Sequence, residues 1–159
     1  MLRKSYWQLM LWIFSIMSIS SLIGAASRPH HDTWYLNLSK STLTPPSYVF
    51  GIVWPFLYFL IAIAGWKIWS LNNSNKKPIQ CLFTLQLLLN WLWSPIFFYF
   101  HNIYLAFMII LSILLTLTAL FILLKNHKTL ITILIPYYLW SLFALYLNGY
   151  TLINNTPQI

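Results

Sequence analysis

Charge of one sign is nearly missing from this chain. Among 159 residues there is one acidic side chain, Asp32, against nine Lys and Arg, and charged residues make up only 6% of the total. That excludes paired-carboxylate acid–base chemistry, which needs two carboxyl groups in different environments. It also excludes an ordinary soluble domain, whose charged fraction is roughly a quarter. Cysteine is equally scarce: the single Cys81 cannot close an intrachain disulfide. The four histidines offer no helical metal site, since His30 and His31 are adjacent and His101 and His127 stand at opposite ends of one apolar run. Alternating apolar and polar segments of about ten residues, the signature of a membrane barrel, are absent as well.

What is present is apolar and aromatic. Hydrophobic residues reach 60%, with nine Trp, ten Tyr and eleven Phe, and the mean hydropathy is +0.72. The apolar residues come in runs of about 20, enough to cross about 30 Å of hydrocarbon as helix. Backbone groups in lipid must be satisfied within the segment, which makes helix the natural conformation. The expected fold is an all-α membrane protein: one integral membrane domain over residues 1–159, a five-transmembrane-helix bundle with spans near 7–26, 46–69, 79–100, 103–124 and 129–153. A connection of one or two residues at His101 and Asn102 makes the third and fourth spans antiparallel neighbours. The loop at 27–45 is long for a compact bundle and carries Trp34 and Tyr35, which suggests a lid.

Net charge is +8, but the basic residues sit at helix ends and in loops, without a nucleic-acid recognition motif, so no nucleic-acid partner is expected. Arg3, Lys4, Lys67, Lys76, Lys77, Lys125 and Lys128 fall on the N-terminal side, and Arg28 and Lys40 on the other; that is seven against two of the nine. The bias places the N-terminus in the cytoplasm and the C-terminus and long loop outside. Arg3, Lys4 and the small residues Gly24-Ala25-Ala26 also resemble a cleaved secretory signal. Against that, the apolar stretch is long, and Trp7, Gln8 and Trp12 are unusual in a signal.

Two kinds of stripe run along these helices. Small residues recur at Ser15, Ser18, Ser21, Leu22 and Ala25 in the first and at Ser112, Thr116 and Ala119 in the fourth, which predicts close helix packing there. Aromatic and amide residues recur at Phe50, Trp54 and Tyr58, at Gln86, Asn90, Trp93 and Phe97, and at Pro136, Trp140, Ala144 and Asn148, each set on one helix face. Polar residues at bilayer depth normally face the bundle interior. The rings and amides can each be core packing or helix–helix contacts. Taken together they predict an aromatic cavity with a few amides and indole N–H groups, suited to a flat hydrophobic ligand with polar edges. No catalytic residues are expected from acid–base or metal chemistry.

Three segments resemble one family. Trp34-Tyr35-Leu36-Asn37-Leu38, Lys40, Pro45-Pro46, Val49-Phe50-Gly51, Val53-Trp54 and Leu57-Tyr58 are similar to W-Y-x-x-L-x-K-P-x-W-x-P-P-x-W-V-F-G-x-V-W-x-x-L-Y. Leu89-Asn90-Trp91-Leu92-Trp93-Ser94-Pro95-Ile96-Phe97-Phe98 is similar to L-N-x-x-W-x-P-I-F-F, and the stretch from Pro136 to Asn148 to P-Y-x-x-W-x-x-F-A-x-x-L-N. These resemble the translocator protein, or tryptophan-rich sensory protein (TspO/MBR), family, in order and spacing through most of the chain. The departures are Ser41 for Pro and Leu43 and Tyr48 for Trp. Met108 stands where some members carry an acidic residue, and no Lys or Arg follows Lys128 to complete the stretch linked to sterol recognition in animal members.

The resemblance implies a five-helix bundle, often a homodimer, in an outer mitochondrial or bacterial membrane; here the expectation is a bacterial cell membrane. It implies no obligatory cofactor, with protoporphyrin IX, haem and aromatic compounds of the benzodiazepine and isoquinoline type as ligands, beside lipids or sterol-like molecules. Carried over by motif, Trp54, Tyr58, Asn90, Trp93, Trp140 and Ala144 would wall the pocket, with Trp34 and Tyr35 closing it. Sensing, sequestration or transport of tetrapyrroles is the leading reading. The alternatives are light- and oxygen-dependent porphyrin degradation, with Trp54 and Trp140 as electron donors, and a lipid-binding scaffold.

Overall fold

The computed structural model describes residues 6–27, 33–72 and 75–155. Arg3, Lys4, Arg28, His30, His31 and Asp32, which enter the charge and metal arguments above, lie outside them. Among the described residues there is no strand, and five helices are long and apolar enough to span a membrane. They are α1 (Tyr6–Ser27), α3 (Ser47–Trp69), α4 (Lys76–Ser94), α5 (Ile103–Leu123) and α6 (Lys128–Asn155). The loop between the first two spans contains a short extra helix, α2 (Thr33–Asn37). The third span, α4, starts at Lys76, before the expected residue 79, because first-turn N–H groups have no helical partner and tolerate Pro78 there.

Around the bundle the neighbours run α1, α3, α6, α5, α4, with α4 also touching α1 and α3. Chain direction alternates, so α2, the start of α3, the end of α4 and the end of α6 all lie at one end. The opposite half is a continuous apolar core that includes Ile61, Ile68, Ile79, Phe83, Leu117, Leu120 and Leu134.

α1 does not pack through its expected small-residue stripe. Ser15, Ser21, Leu22 and Ala25 are exposed, and the buried positions are Ile16, Ser20 and Ser27. A large-into-small fit decides its rotation: Trp12 lies over Gly65 of α3 so closely that a Cβ there would stand 2.6 Å from the Trp12 ring. Trp12 is held in turn by Trp69 at 4.9 Å and Phe83 at 6.2 Å between ring centroids. Two hydrogen bonds set the polar side of α1, from the Trp91 indole N–H to Ser20 Oγ and from Ser94 Oγ to Ser27 Oγ, both 2.9 Å. In α5, by contrast, Thr116 is buried, with Ser112 and Ala119 half-buried.

α4 ends in a π-helical turn, Pro95–Tyr99. Pro95 has no N–H to donate back along the helix, and the ladder widens until Phe100 N–H donates to Pro95 C=O at 3.1 Å. Such turns re-aim side chains, and here both Phe97 and Phe98 are presented to α2. His101 follows with φ 52°, a left-handed conformation unusual outside glycine. It turns the chain sharply, and the Asn102 side chain then caps α5 by accepting from Leu105 N–H at 2.9 Å.

Candidate ligand-binding site

The three aromatic stripes meet in the half of the bundle nearest α2. There Phe50 and Trp54 of α3, Asn90 and Trp93 of α4, Ile110 and Ile113 of α5, and Trp140, Ser141 and Ala144 of α6 line a cavity. Five predicted site residues are therefore brought together: Trp54, Asn90, Trp93, Trp140 and Ala144. Tyr58 stands just behind the wall, where its ring stacks on Trp54 at 5.4 Å. Its hydroxyl donates to Asn90 Oδ1 at 2.7 Å. Asn90 Nδ2 donates in turn to the Tyr137 hydroxyl at 3.1 Å, so one amide joins α3, α4 and α6.

Trp34 and Tyr35 do not line the cavity; they form a second layer above it. Trp34 meets Phe97 edge-on at 5.7 Å, Tyr35 meets Phe98 edge-on at 5.5 Å, and Phe97 stacks on the cavity-wall ring of Trp93 at 5.2 Å. α2 has only five residues and needs a terminal cap to persist. Lys40 supplies it, donating from Nζ to the carbonyls of Tyr35, Leu36 and Leu38 at 2.7, 3.2 and 3.0 Å, a cation placed at the negative end of the helix. Burial raises the pKa of the Tyr35 hydroxyl above its usual value.

The walls are mostly rings, and polar groups are few. Trp93 Nε1 and Trp140 Nε1 are buried and have no protein partner. Asn148, one turn beyond Ala144, and Gln86, one turn before Asn90, are buried amides likewise without one. An unpaired buried donor costs about 1–3 kcal/mol, so these groups keep hydrogen-bonding capacity that no protein atom satisfies. As it stands the cavity encloses about 30 Å³, room for a water molecule, against roughly 300–1,000 Å³ for a drug-sized pocket. The rings themselves close it, with Trp140 edge-on to Phe50 at 5.7 Å and Trp54 against Tyr58. None of the lining side chains is a His, Cys or carboxylate.

Ile110 and Ile113 had no signal in the sequence, because α5 is apolar on every side. Ser141 and Tyr137 do lie within the third motif, beside Trp140, but neither stands out there by its spacing.

The sequence profile of the TspO/MBR family matches residues 9–153. The chain belongs to the TspO/MBR family. It is a multi-pass integral membrane protein of that family, with relatives in bacteria and archaea. The Archaeoglobus fulgidus tryptophan-rich protein TspO is 39% identical over 119 residues, covering 74% of this chain and 76% of the relative. The Cereibacter sphaeroides tryptophan-rich sensory protein is 30% identical over 143 residues, covering 89% and 88%. The Bacillus cereus tryptophan-rich protein TspO is 33% identical over 153 residues, covering 92% and 94%.

Proposed function

We propose that the cavity binds a flat tetrapyrrole, protoporphyrin IX above all, for sensing, sequestration or transport. One observation carries this reading: two indole N–H groups, Trp93 and Trp140, are buried without partners in an aromatic wall. Stacking on Trp54, Trp93 and Trp140 would hold a macrocycle, and the free N–H groups would bond acceptors at its edge. Ala144 and Ser141 are the smallest side chains in the lining and leave space beside the Trp140 ring. Haem fits less well than the metal-free ring, since the lining offers iron no ordinary axial ligand. The name of the Cereibacter relative, a sensory protein, agrees with a binding role.

At about 30 Å³ the cavity is too small for a porphyrin, so binding requires the rings to part. The basic-residue bias supports a bacterial cell membrane with the N-terminus inside and α2 facing outward; a homodimer is the assembly the family resemblance suggests. A second reading is favoured by the placement of Trp54 and Trp140 in one cavity: an excited porphyrin there would lie against two rings able to give up one electron, with molecular oxygen as the terminal oxidant of a light-dependent degradation.

Titration of tryptophan fluorescence in nanodiscs with protoporphyrin IX, in the dark and then under light, tests both. Saturable quenching that weakens in Trp54→Phe/Trp140→Phe supports the pocket, and a defined new absorbing product under light supports degradation. Linear, unsaturable quenching means that porphyrin only partitions into lipid, and it favours a lipid-binding scaffold.

A further inference from the structure

α2 and the connection after it are fastened to the bundle at two separate places. At the first, Trp34 lies flat on the His101 ring, with centroids 4.1 Å apart and planes 21° from parallel. At the second, Asn155, the last residue of α6, grips the backbone of Ser39. Its Oδ1 accepts from Ser39 N–H at 2.8 Å and its Nδ2 donates to Ser39 C=O at 3.0 Å. The same Nδ2 donates to Thr151 C=O, one turn back in α6, at 2.7 Å, which holds the amide in one orientation. Nearby, the hydroxyls of Ser41 and Tyr146 stand 3.0 Å apart. None of these residues lines the cavity.

Two columns of rings descend from these fastenings to the cavity wall. One passes from Trp34 through Phe97 to Trp93. The other passes from Tyr146 through Phe143 to Trp140, at 6.5 and 5.6 Å. Below the cavity lies the buried apolar core, which leaves the α2 side as the end where the rings are covered by a short separate segment and not by that core. The geometry points to Asn155 as the anchor of a lid spanning residues 33–44, and as a positioning residue that sets how fast ligand enters and leaves. This rests on the reading of the cavity as a ligand site. An amide that satisfies both the N–H and the C=O of one loop residue holds it as a neighbouring strand would. Because the lid does not wall the cavity, loosening it lowers the barrier for entry and exit alike and leaves affinity to the walls.

The test measures association and dissociation of protoporphyrin IX by stopped-flow fluorescence in nanodiscs, together with hydrogen–deuterium exchange over residues 33–44. In Asn155→Ala, both rates rise about tenfold, the loss of two net hydrogen bonds, the dissociation constant is unchanged and exchange in the segment is faster. Asn155→Asp keeps the acceptor for Ser39 N–H and falls between Asn155→Ala and the wild type. Tyr146→Phe, which removes the neighbouring tie without touching α6's last turn, shifts the same two rates together by a smaller factor. Unchanged exchange in Asn155→Ala overturns the anchor; faster exchange with unchanged rates overturns the gate. A weakened affinity at constant association rate would make Asn155 part of the binding energy and overturn the proposal too. Absence of saturable binding by the wild type is a separate outcome, which overturns the tetrapyrrole reading itself and the gate with it.

Discussion

The Tyr58 hydroxyl donates to the Asn90 side-chain oxygen across 2.7 Å, and Asn90 spends its amide hydrogen on Tyr137 at 3.1 Å. Asn90 is therefore a structural tie between three helices and, at the same time, part of the cavity wall. In a bundle where lipid offers helices little hydrophobic drive to associate, such bonds help set which faces meet.

Asn90→Leu should cost about 2–3 kcal/mol of stability, since it loses two bonds and leaves the half-buried Tyr58 and buried Tyr137 hydroxyls without their amide partner. Thermal unfolding in detergent measures it. Adding Tyr58→Phe to Asn90→Leu should recover part of the loss, because one stranded hydroxyl is removed. A single Asn90→Leu variant as stable as the wild type would show that the tie contributes nothing net.

Trp93→Phe and Trp140→Phe should behave in the opposite way. Each removes an indole N–H that has no protein partner, so the ligand-free protein loses packing but no hydrogen bond, and removal of the unpaired donor offsets part of that loss, for a net cost of about 1–2 kcal/mol. Protoporphyrin affinity should fall about five- to tenfold for each, the value of one hydrogen bond. Equal losses of stability and no change in binding would mean that the N–H groups are not used by a ligand.

Gly65→Ala should destabilise the chain by about 1–3 kcal/mol, the ordinary cost of overpacking. The added methyl would stand 2.6 Å from Trp12 Cζ3 and 3.0 Å from Phe83 Cζ. Those rings have little room to yield, because Trp12, Trp69 and Phe83 are in mutual contact. Combining Gly65→Ala with Trp12→Leu should restore much of the loss. If Gly65→Ala instead stabilises, helix propensity outweighs the clash and the α1–α3 fit yields more readily than a 2.6 Å approach implies.

Haem added to the protein in nanodiscs should give an absorption spectrum without the features of His or Cys axial ligation, because no such side chain lines the cavity. Metal-free protoporphyrin IX should bind at least as tightly. A low-spin, bis-nitrogen-ligated haem spectrum would place the ligand outside this cavity.

The five spans and three inward stripes were legible because lipid imposes simple rules. Long apolar runs become helices, and Trp54, Asn90, Trp93, Trp140 and Ala144 recur at helical spacing on faces that must avoid lipid. Ser15, Ser21 and Ala25 are the exception: they share a helical spacing yet are exposed, so the small-residue stripe is not the packed face of α1. Small residues permit a close approach but do not require one, and Trp12 against Gly65 made the closer fit.

Other features depended on partners far away in the chain. Ile110 and Ile113 wall the cavity only because α5 happens to be turned that way; an all-apolar helix carries no mark of its inner side. The two-layer arrangement, with Trp34 and Tyr35 above Phe97 and Phe98 and not in the cavity itself, follows from the π-helical turn at Pro95–Tyr99. The grip of Asn155 on Ser39 joins residues 116 apart in sequence, and no local pattern announces it. Composition and periodicity by themselves determined a five-helix membrane bundle with an aromatic interior, because burial in lipid acts on each segment separately. Tertiary structure alone decided how closed that interior is, which donors remain unpaired and what holds the lid, because these follow from how side chains of different helices compete for the same space.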